Sequence, residues 1–149
     1  MKELTLILIT SFLLIFCTSQ DDISKNNPLS TLINAEEFEN EPSDFFTVNH
    51  LEISNDSLVF SFSASGCHGE SWQYKLIDSG NIDFLMTTDE PSTAIQAQRT
   101  LRFVFKNKEE CEAYITKTAR FDISNLQVEG VNTVELNIIN SNHIITYHY

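Results

Sequence analysis

Leu58-Val59-Phe60-Ser61-Phe62-Ser63-Ala64-Ser65-Gly66-Cys67-His68-Gly69-Glu70-Ser71-Trp72-Gln73-Tyr74-Lys75-Leu76-Ile77 is the stretch that decides the fold. Leu58, Phe60, Phe62 and Ala64 alternate with Val59, Ser61 and Ser63, and Trp72, Tyr74 and Leu76 alternate with Gln73 and Lys75. A period of two marks a strand with one buried face. Between the two runs lies Ser65–Ser71, with two of the four glycines and one of the three cysteines. It reads as the connection between two strands.

The same grammar repeats outward. Phe45–Ile53 is an expected strand, closed by Ser54-Asn55-Asp56-Ser57, whose residue types accept turn geometry and bond their own backbone. Downstream, Asp78-Ser79-Gly80-Asn81 reads as a turn into Ile82–Met86. Thr87–Thr93 reads as a polar loop around Pro91, and Gln98–Phe105 as a strand with Leu101, Phe103 and Phe105 on one face. Tyr114–Ile123, Val134–Ile138 and His143–Tyr149 complete the set, with turns at Glu129-Gly130 and Asn140-Ser141-Asn142. Seven or eight strands at turn spacings of about 8–12 residues predict an all-β, antiparallel, immunoglobulin-like β-sandwich. No helical periodicity alternates with the strands, which excludes a parallel α/β sheet. The nine phenylalanines after residue 16 supply bulky core material.

The 149 residues suit a single domain. A net charge of -12 with no basic cluster repels phosphate backbones and excludes nucleic-acid binding. Leu4–Phe16 is an almost unbroken apolar run of 13 residues, too short for a bilayer crossing, which takes about 20. It has the length of the hydrophobic part of an export signal. Leu14-Ile15-Phe16-Cys17 closes it and resembles the lipobox of bacterial lipoproteins, with Phe16 standing where that motif carries Gly, Ala or Ser. The acidic Thr18-Ser19-Gln20-Asp21-Asp22 that follows is similar to the start of lipoproteins sent to the outer membrane. The resemblance implies a signal peptide over 1–16, lipid on Cys17, and an envelope protein anchored on the periplasmic or surface side of the outer membrane. Residues 17–43 are polar and read as a flexible tether, with a short helix around Leu29–Phe38 opened by Asn27 and Pro28. The sandwich domain is then 44–149.

Lipidation of Cys17 leaves Cys67 and Cys111, and an exported chain meets an oxidising compartment, so a disulfide is expected between them. It would close a 45-residue loop and stabilise by about 4 kcal/mol in the chain-entropy treatment. The chain as a whole resembles small lipoproteins of Gram-negative envelopes in which a Gly-Cys and a Trp-bearing strand precede a second cysteine, as Gly66-Cys67, Trp72 and Cys111 do here.

No residue presents itself as catalytic. Cys67 and His68 are adjacent, so on a strand they point to opposite faces and cannot pair as nucleophile and base. His50, His68, His143 and His148 are scattered, without the clustered spacing of a zinc site, and no metal is expected. Carboxylates come in pairs at Glu36-Glu37, Asp89-Glu90 and Glu109-Glu110, which a chain with 21 acidic residues carries by chance. With no phosphate loop or dinucleotide fingerprint, no cofactor is expected. Tyr147 and Tyr149 share one face of the last strand and form a candidate binding surface, against a plainer reading as core. The function expected is a non-catalytic, membrane-anchored module that binds a protein or glycan partner. The alternatives are an envelope hydrolase using acidic side chains and a structural subunit of an envelope complex.

Overall fold

A computed structural model describes residues 27–87 and 94–149. The Cys17 lipobox and the Pro91 loop lie outside the described residues. The described chain runs β1 (Leu29–Ser30), β2 (Leu32–Ile33), α1 (Ala35–Asn40), β3 (Thr47–Ser54), β4 (Ser57–Gly66), β5 (Gln73–Thr87), β6 (Ala94–Lys106), β7 (Ala113–Asp122), a 3-10 turn at Ser124–Leu126, β8 (Thr133–Ile138) and β9 (His143–His148). Two sheets form, with orders β1-β7-β4-β3 and β2-β5-β6-β8-β9. They are packed face to face as an all-β sandwich, with seven strands of six residues or more.

The alternation in β4 and β5 is used as the sequence implies. Leu58, Phe60, Phe62 and Leu76 are fully buried, as are Leu101, Phe103 and Phe105 of β6. Phe60 stacks on Phe103 across the two layers with ring centroids 4.2 Å apart, and Phe62 meets Trp72 at 5.8 Å. Burying such rings is worth about 1.5–3 kcal/mol each, which makes this aromatic seam the main stabilising element.

The strands are not all antiparallel: β1–β7, β2–β5 and β6–β8 pair in parallel. The last has a simple cause. β6 lies in the larger sheet, β7 crosses to the smaller one, and β8 returns, so two changes of sheet restore the direction of β6.

Two local expectations are corrected. Asp78–Asn81 does not turn the chain. It is a wide bulge inside one long strand, β5, with Asp78 opposite Leu101 and Ile82 opposite Arg99. Gly80 takes φ +83°, open to glycine without strain, and its N–H donates to Asp78 Oδ1 at 2.7 Å. The short helix is Ala35–Asn40 rather than a segment opened by Asn27 and Pro28, because Asn34 is the residue whose Oδ1 accepts the Glu37 N–H at 3.0 Å. From Leu29 on, the stretch read as tether is folded. β1 and β2 are two residues each and join one sheet to the other along one side of the sandwich. Phe38 of α1 packs with Ile77 and Val104 in a second small core on the outer face of the larger sheet.

Candidate functional site

Three arrangements stand out once the framework is known. The first is the disulfide end. Cys67 and Cys111 are bonded, with Cα atoms 4.9 Å apart. Around them, the Ser65–Ser71 connection folds over the carboxylate of Glu109. Its Oε2 accepts the N–H groups of Cys67, His68 and Gly69 at 2.5, 3.1 and 2.9 Å. Its Oε1 accepts the Ser71 hydroxyl at 3.0 Å. Successive N–H groups converging on one oxygen form an anion-binding nest. The Gly69, Cys67, His68 and Ser71 N–H bonds hold this carboxyl at about 2, far below its usual range. Gly66 is required here for space, since a Cβ would come within 2.7 Å of Glu109 Oε2 and 2.9 Å of Trp72 Nε1. The nest is filled by the chain's own carboxylate, so Glu109 acts as a fastener rather than as an acid or base.

The second is buried charge. Asp78 Oδ1 accepts from Arg99 Nη1 at 2.9 Å, with both side chains out of solvent. Asp78 Oδ2 and Arg99 Nε have no hydrogen-bond partner among the described residues. Burial pushes the Asp78 carboxyl up, while the Gly80 N–H and Arg99 pull it down.

The third begins where that pair sits. Beyond the bulge, β5 and β6 continue as a two-stranded arm, Ile82–Thr87 against Ala94–Arg99. β2 accompanies β5 only at Ile77 and Asp78, and β8 joins β6 only from Ala97. Past Ala97 the arm has no neighbouring strand among the described residues. Cross-strand partners share a face, so Ile82, Phe84 and Met86 lie with Ile95, Ala97 and Arg99 on the continuation of the core face. Leu85 lies on the other face. Phe84, Leu85, Met86 and Ile95 are 57, 42, 73 and 55% exposed. Phe84, Met86 and Ile95 thus make an apolar band on one face of this two-stranded arm, which is rooted on a buried ion pair.

The residues singled out from sequence are distributed as follows. Tyr147 does not offer a stacking face: its ring is fully buried, and its hydroxyl donates to Asp56 and accepts from Gln127. Tyr149 is part-exposed, with its hydroxyl bonded to Val128 backbone. The candidate platform is therefore corrected to a core tyrosine and its packing neighbour, because odd-numbered residues of β9 face inward. His50, His143 and His148 have separate local partners in Glu52, the Ser141 carbonyl and Thr133. Among the described residues no three His, Cys, Asp or Glu side chains are grouped as metal ligands. Asp122 accepts from Ser124 and is held low by it. A depression of about 180 Å³ lies between Glu41, Tyr74, Lys75 and Lys106, and a wider, open one of about 490 Å³ lies between Ser54, Asp56, Arg120 and Asp122. Arg99 and the arm escape the sequence reading, and Glu109 figures there only as one of a chance pair of carboxylates. The arm had a legible signal in Phe84-Leu85-Met86, apolar on both faces where a sandwich strand alternates.

No protein-family model matches the chain, and no curated protein matches it in sequence. Two solved structures are similar in fold. One is a protein of unknown function (DUF1344) from Bacteroides vulgatus, with a TM-score of 0.49 and 12% identity over 82% of this chain and 57% of that one. The other is described as toxin-related, from Parabacteroides distasonis, with a TM-score of 0.50 and 15% identity over 83% of this chain and 61% of that one. The chain spans about three-fifths of the length of these proteins. At such identity the likeness is one of fold.

Proposed function

We propose that the protein is a lipid-anchored module of the bacterial cell envelope that binds a partner protein through the apolar arm of β5 and β6. The observation that carries the binding role is the exposed band of Phe84, Met86 and Ile95 on one face of the two-stranded arm. Exposed apolar side chains that are contiguous, rather than single, mark interaction surfaces.

A protein suits the band better than lipid or sugar. Among the described residues no strand pairs with the arm's outer backbone edges past Ala97, and a hydrocarbon interior cannot satisfy such N–H and C=O groups. The arm's connecting segment includes Asp89 and Glu90, and the whole chain is at -12, both unfavourable to an anionic bilayer. Sugar stacking uses aromatic faces, and Phe84 is the one aromatic in the arm. The partner surface implied is an apolar cleft with a basic rim. Export and anchoring rest on the Leu4–Phe16 run and Cys17, and a disulfide is in keeping with an oxidising compartment.

A photo-crosslinking residue at position 86, in cells, should yield one discrete protein adduct, while the same residue at Tyr114 should not. With that partner purified, Phe84→Asp should weaken binding at least tenfold. Adducts to lipid, or none, would overturn the assignment. Intact mass of the cell-derived protein should show a chain beginning at an acylated Cys17; a retained leader would overturn the anchor separately.

A further inference from the structure

The outer face of the smaller sheet is open at the disulfide end. Cross-strand partners share a face, and the register places Ser65 beside Tyr114, Ser63 beside Thr47 and Thr116, and Ser61 beside His50 and Thr118. Leu58, Phe60, Phe62 and Ala64 take the core side of β4, so these residues point outward. Hydroxyl side chains fill the rows, with no Lys, Arg, Asp or Glu among them. Charge begins one row further on, at Glu52 and Arg120 on either side of Val59.

Two aromatic side chains stand at the end of this face. Phe45 and Tyr114 are 85 and 64% exposed. Tyr114 pairs with Ser65, and Phe45 lines a depression of about 280 Å³ with Asp44, Ala64, Ser65 and Asn107. The fold fixes Phe45 in place. The Asp44 N–H donates to the Phe105 carbonyl at 2.8 Å, and Asp44 Oδ2 accepts the Asn107 N–H at 2.7 Å. Phe46 turns into the core, its ring centroid 5.0 Å from that of Phe103, which leaves Phe45 directed outward.

One row away a hydrogen-bond chain crosses all three strands. The bulge between Val48 and His50 turns Asn49 outward. Its Nδ2 donates to Ser63 Oγ at 2.6 Å, and Ser63 Oγ lies 2.7 Å from Thr116 Oγ1. Ser63 is buried and already accepts from Asn49, so its own proton goes to Thr116. Asn49 Oδ1 is left as an acceptor and the Thr116 hydroxyl as a donor, both on exposed residues.

We infer that this face binds a neutral oligosaccharide. The C–H faces of sugar rings stack on Phe45 and Tyr114, and sugar hydroxyls bond Asn49 Oδ1 and Thr116. Adjacent rows are about 6–7 Å apart along a strand, so one short oligosaccharide spans the rings and the polar chain. Composition selects the occupant. Protein interfaces are enriched in Met and Arg and depleted in Ser, whereas hydroxyls border the aromatic pair here. A lipid would leave those hydroxyls and the Asn49 amide without partners. The chain's charge of -12, with Asp44, Glu110 and Glu112 close by in sequence, disfavours sugars that carry carboxylates. The arm takes its protein on a different surface, so the two assignments stand separately.

The probe is an array of neutral glucans, mannans, xylans and galactans beside polygalacturonate and hyaluronan. It is read with the protein isolated from cells in a polyoxyethylene detergent, and the hexasaccharide of the strongest hit is titrated by calorimetry. A neutral hexasaccharide should bind with a Kd below about 1 mM, and the uronic-acid polymers should not bind. Phe45→Ala and Tyr114→Ala should each weaken binding about tenfold and keep the wild-type melting temperature. Thr116→Val should weaken it about threefold, while Thr116→Ser, which keeps the hydroxyl, should not. Phe84→Asp on the arm should leave it unchanged. An array with no neutral hit, a preference for the uronic-acid polymers, or binding indifferent to both aromatic substitutions overturns the proposal. So does a discrete protein adduct from the photo-crosslinking residue at position 114, which would make this face a protein interface.

Discussion

Glu109 shows what one side chain does in this fold. Its carboxylate ties the Cys67–Ser71 backbone to the segment bearing Cys111. The folded state holds this group at about 2, first through the Gly69 N–H and then through those of Cys67, His68 and Ser71. A carboxyl with a depressed folded value adds stability above its unfolded value, near 4.5, and loses it as pH falls toward 2. The wild-type melting temperature should therefore decline across that window, and Glu109→Gln should lower it at neutral pH and flatten the decline; an unchanged slope would refute this. Asp78 and Arg99 pose the opposite case. Removing one partner of a buried pair strands the other charge, so Asp78→Ala should cost about 3–5 kcal/mol in urea unfolding. Asp78→Leu with Arg99→Met should recover most of it, since a well-packed apolar pair of similar volume is often as stable. A single substitution costing under about 1 kcal/mol would show that the pair is hydrated in solution.

At the scale of elements, the disulfide fastens the end of the sandwich opposite the arm. It joins the β4–β5 connection to the β6–β7 connection, so one bond ties segments belonging to both sheets. Cys67→Ala with Cys111→Ala should reduce unfolding free energy by about 2–5 kcal/mol. The fluorescence of Trp72, buried between the disulfide loop and Phe105, reports the transition. Equal midpoints with and without reductant would contradict this. The strands themselves were legible, because period-two alternation in β4, β6 and β8 reports half-burial directly. Sheet membership was not, since alternation says that a strand has a buried face but not which sheet it joins. Asp78–Asn81 carries turn chemistry, yet a bulge uses the same residues, and only the cross-strand Arg99 tells the two apart. The nest around Glu109 depends on a meeting of residues some 40 positions apart, which no local pattern announces.

For the molecule as a whole, the N-terminal segment decides whether the sandwich is closed. Leu29–Asn40 is too short in each piece to show a period, and so read as part of a tether. In the folded chain it pairs with β7 and β5 and lays Phe38 on Ile77 and Val104. Arg102 Nη1 donates to the Phe38 carbonyl at 2.7 Å, and Asn125 Nδ2 to the Thr31 carbonyl at 2.9 Å. Glu37, Glu41, Lys75 and Lys106 pair around the helix, though exposed ion pairs add little. The weight falls on Phe38, whose truncation to alanine should cost about 3–5 kcal/mol if the site does not collapse. A chain starting at residue 44 loses that burial and also bares the edges of β5 and β7. Unguarded edges invite pairing with other chains, so this chain should unfold at lower urea than one starting at Asn27 and should aggregate on concentration. The full-length Phe38→Ala variant separates the two effects: it keeps the edges covered, so it should lose stability while remaining soluble. Were the chain from residue 44 to unfold at the same midpoint as the longer one, the segment would be an appendage on a sandwich complete without it.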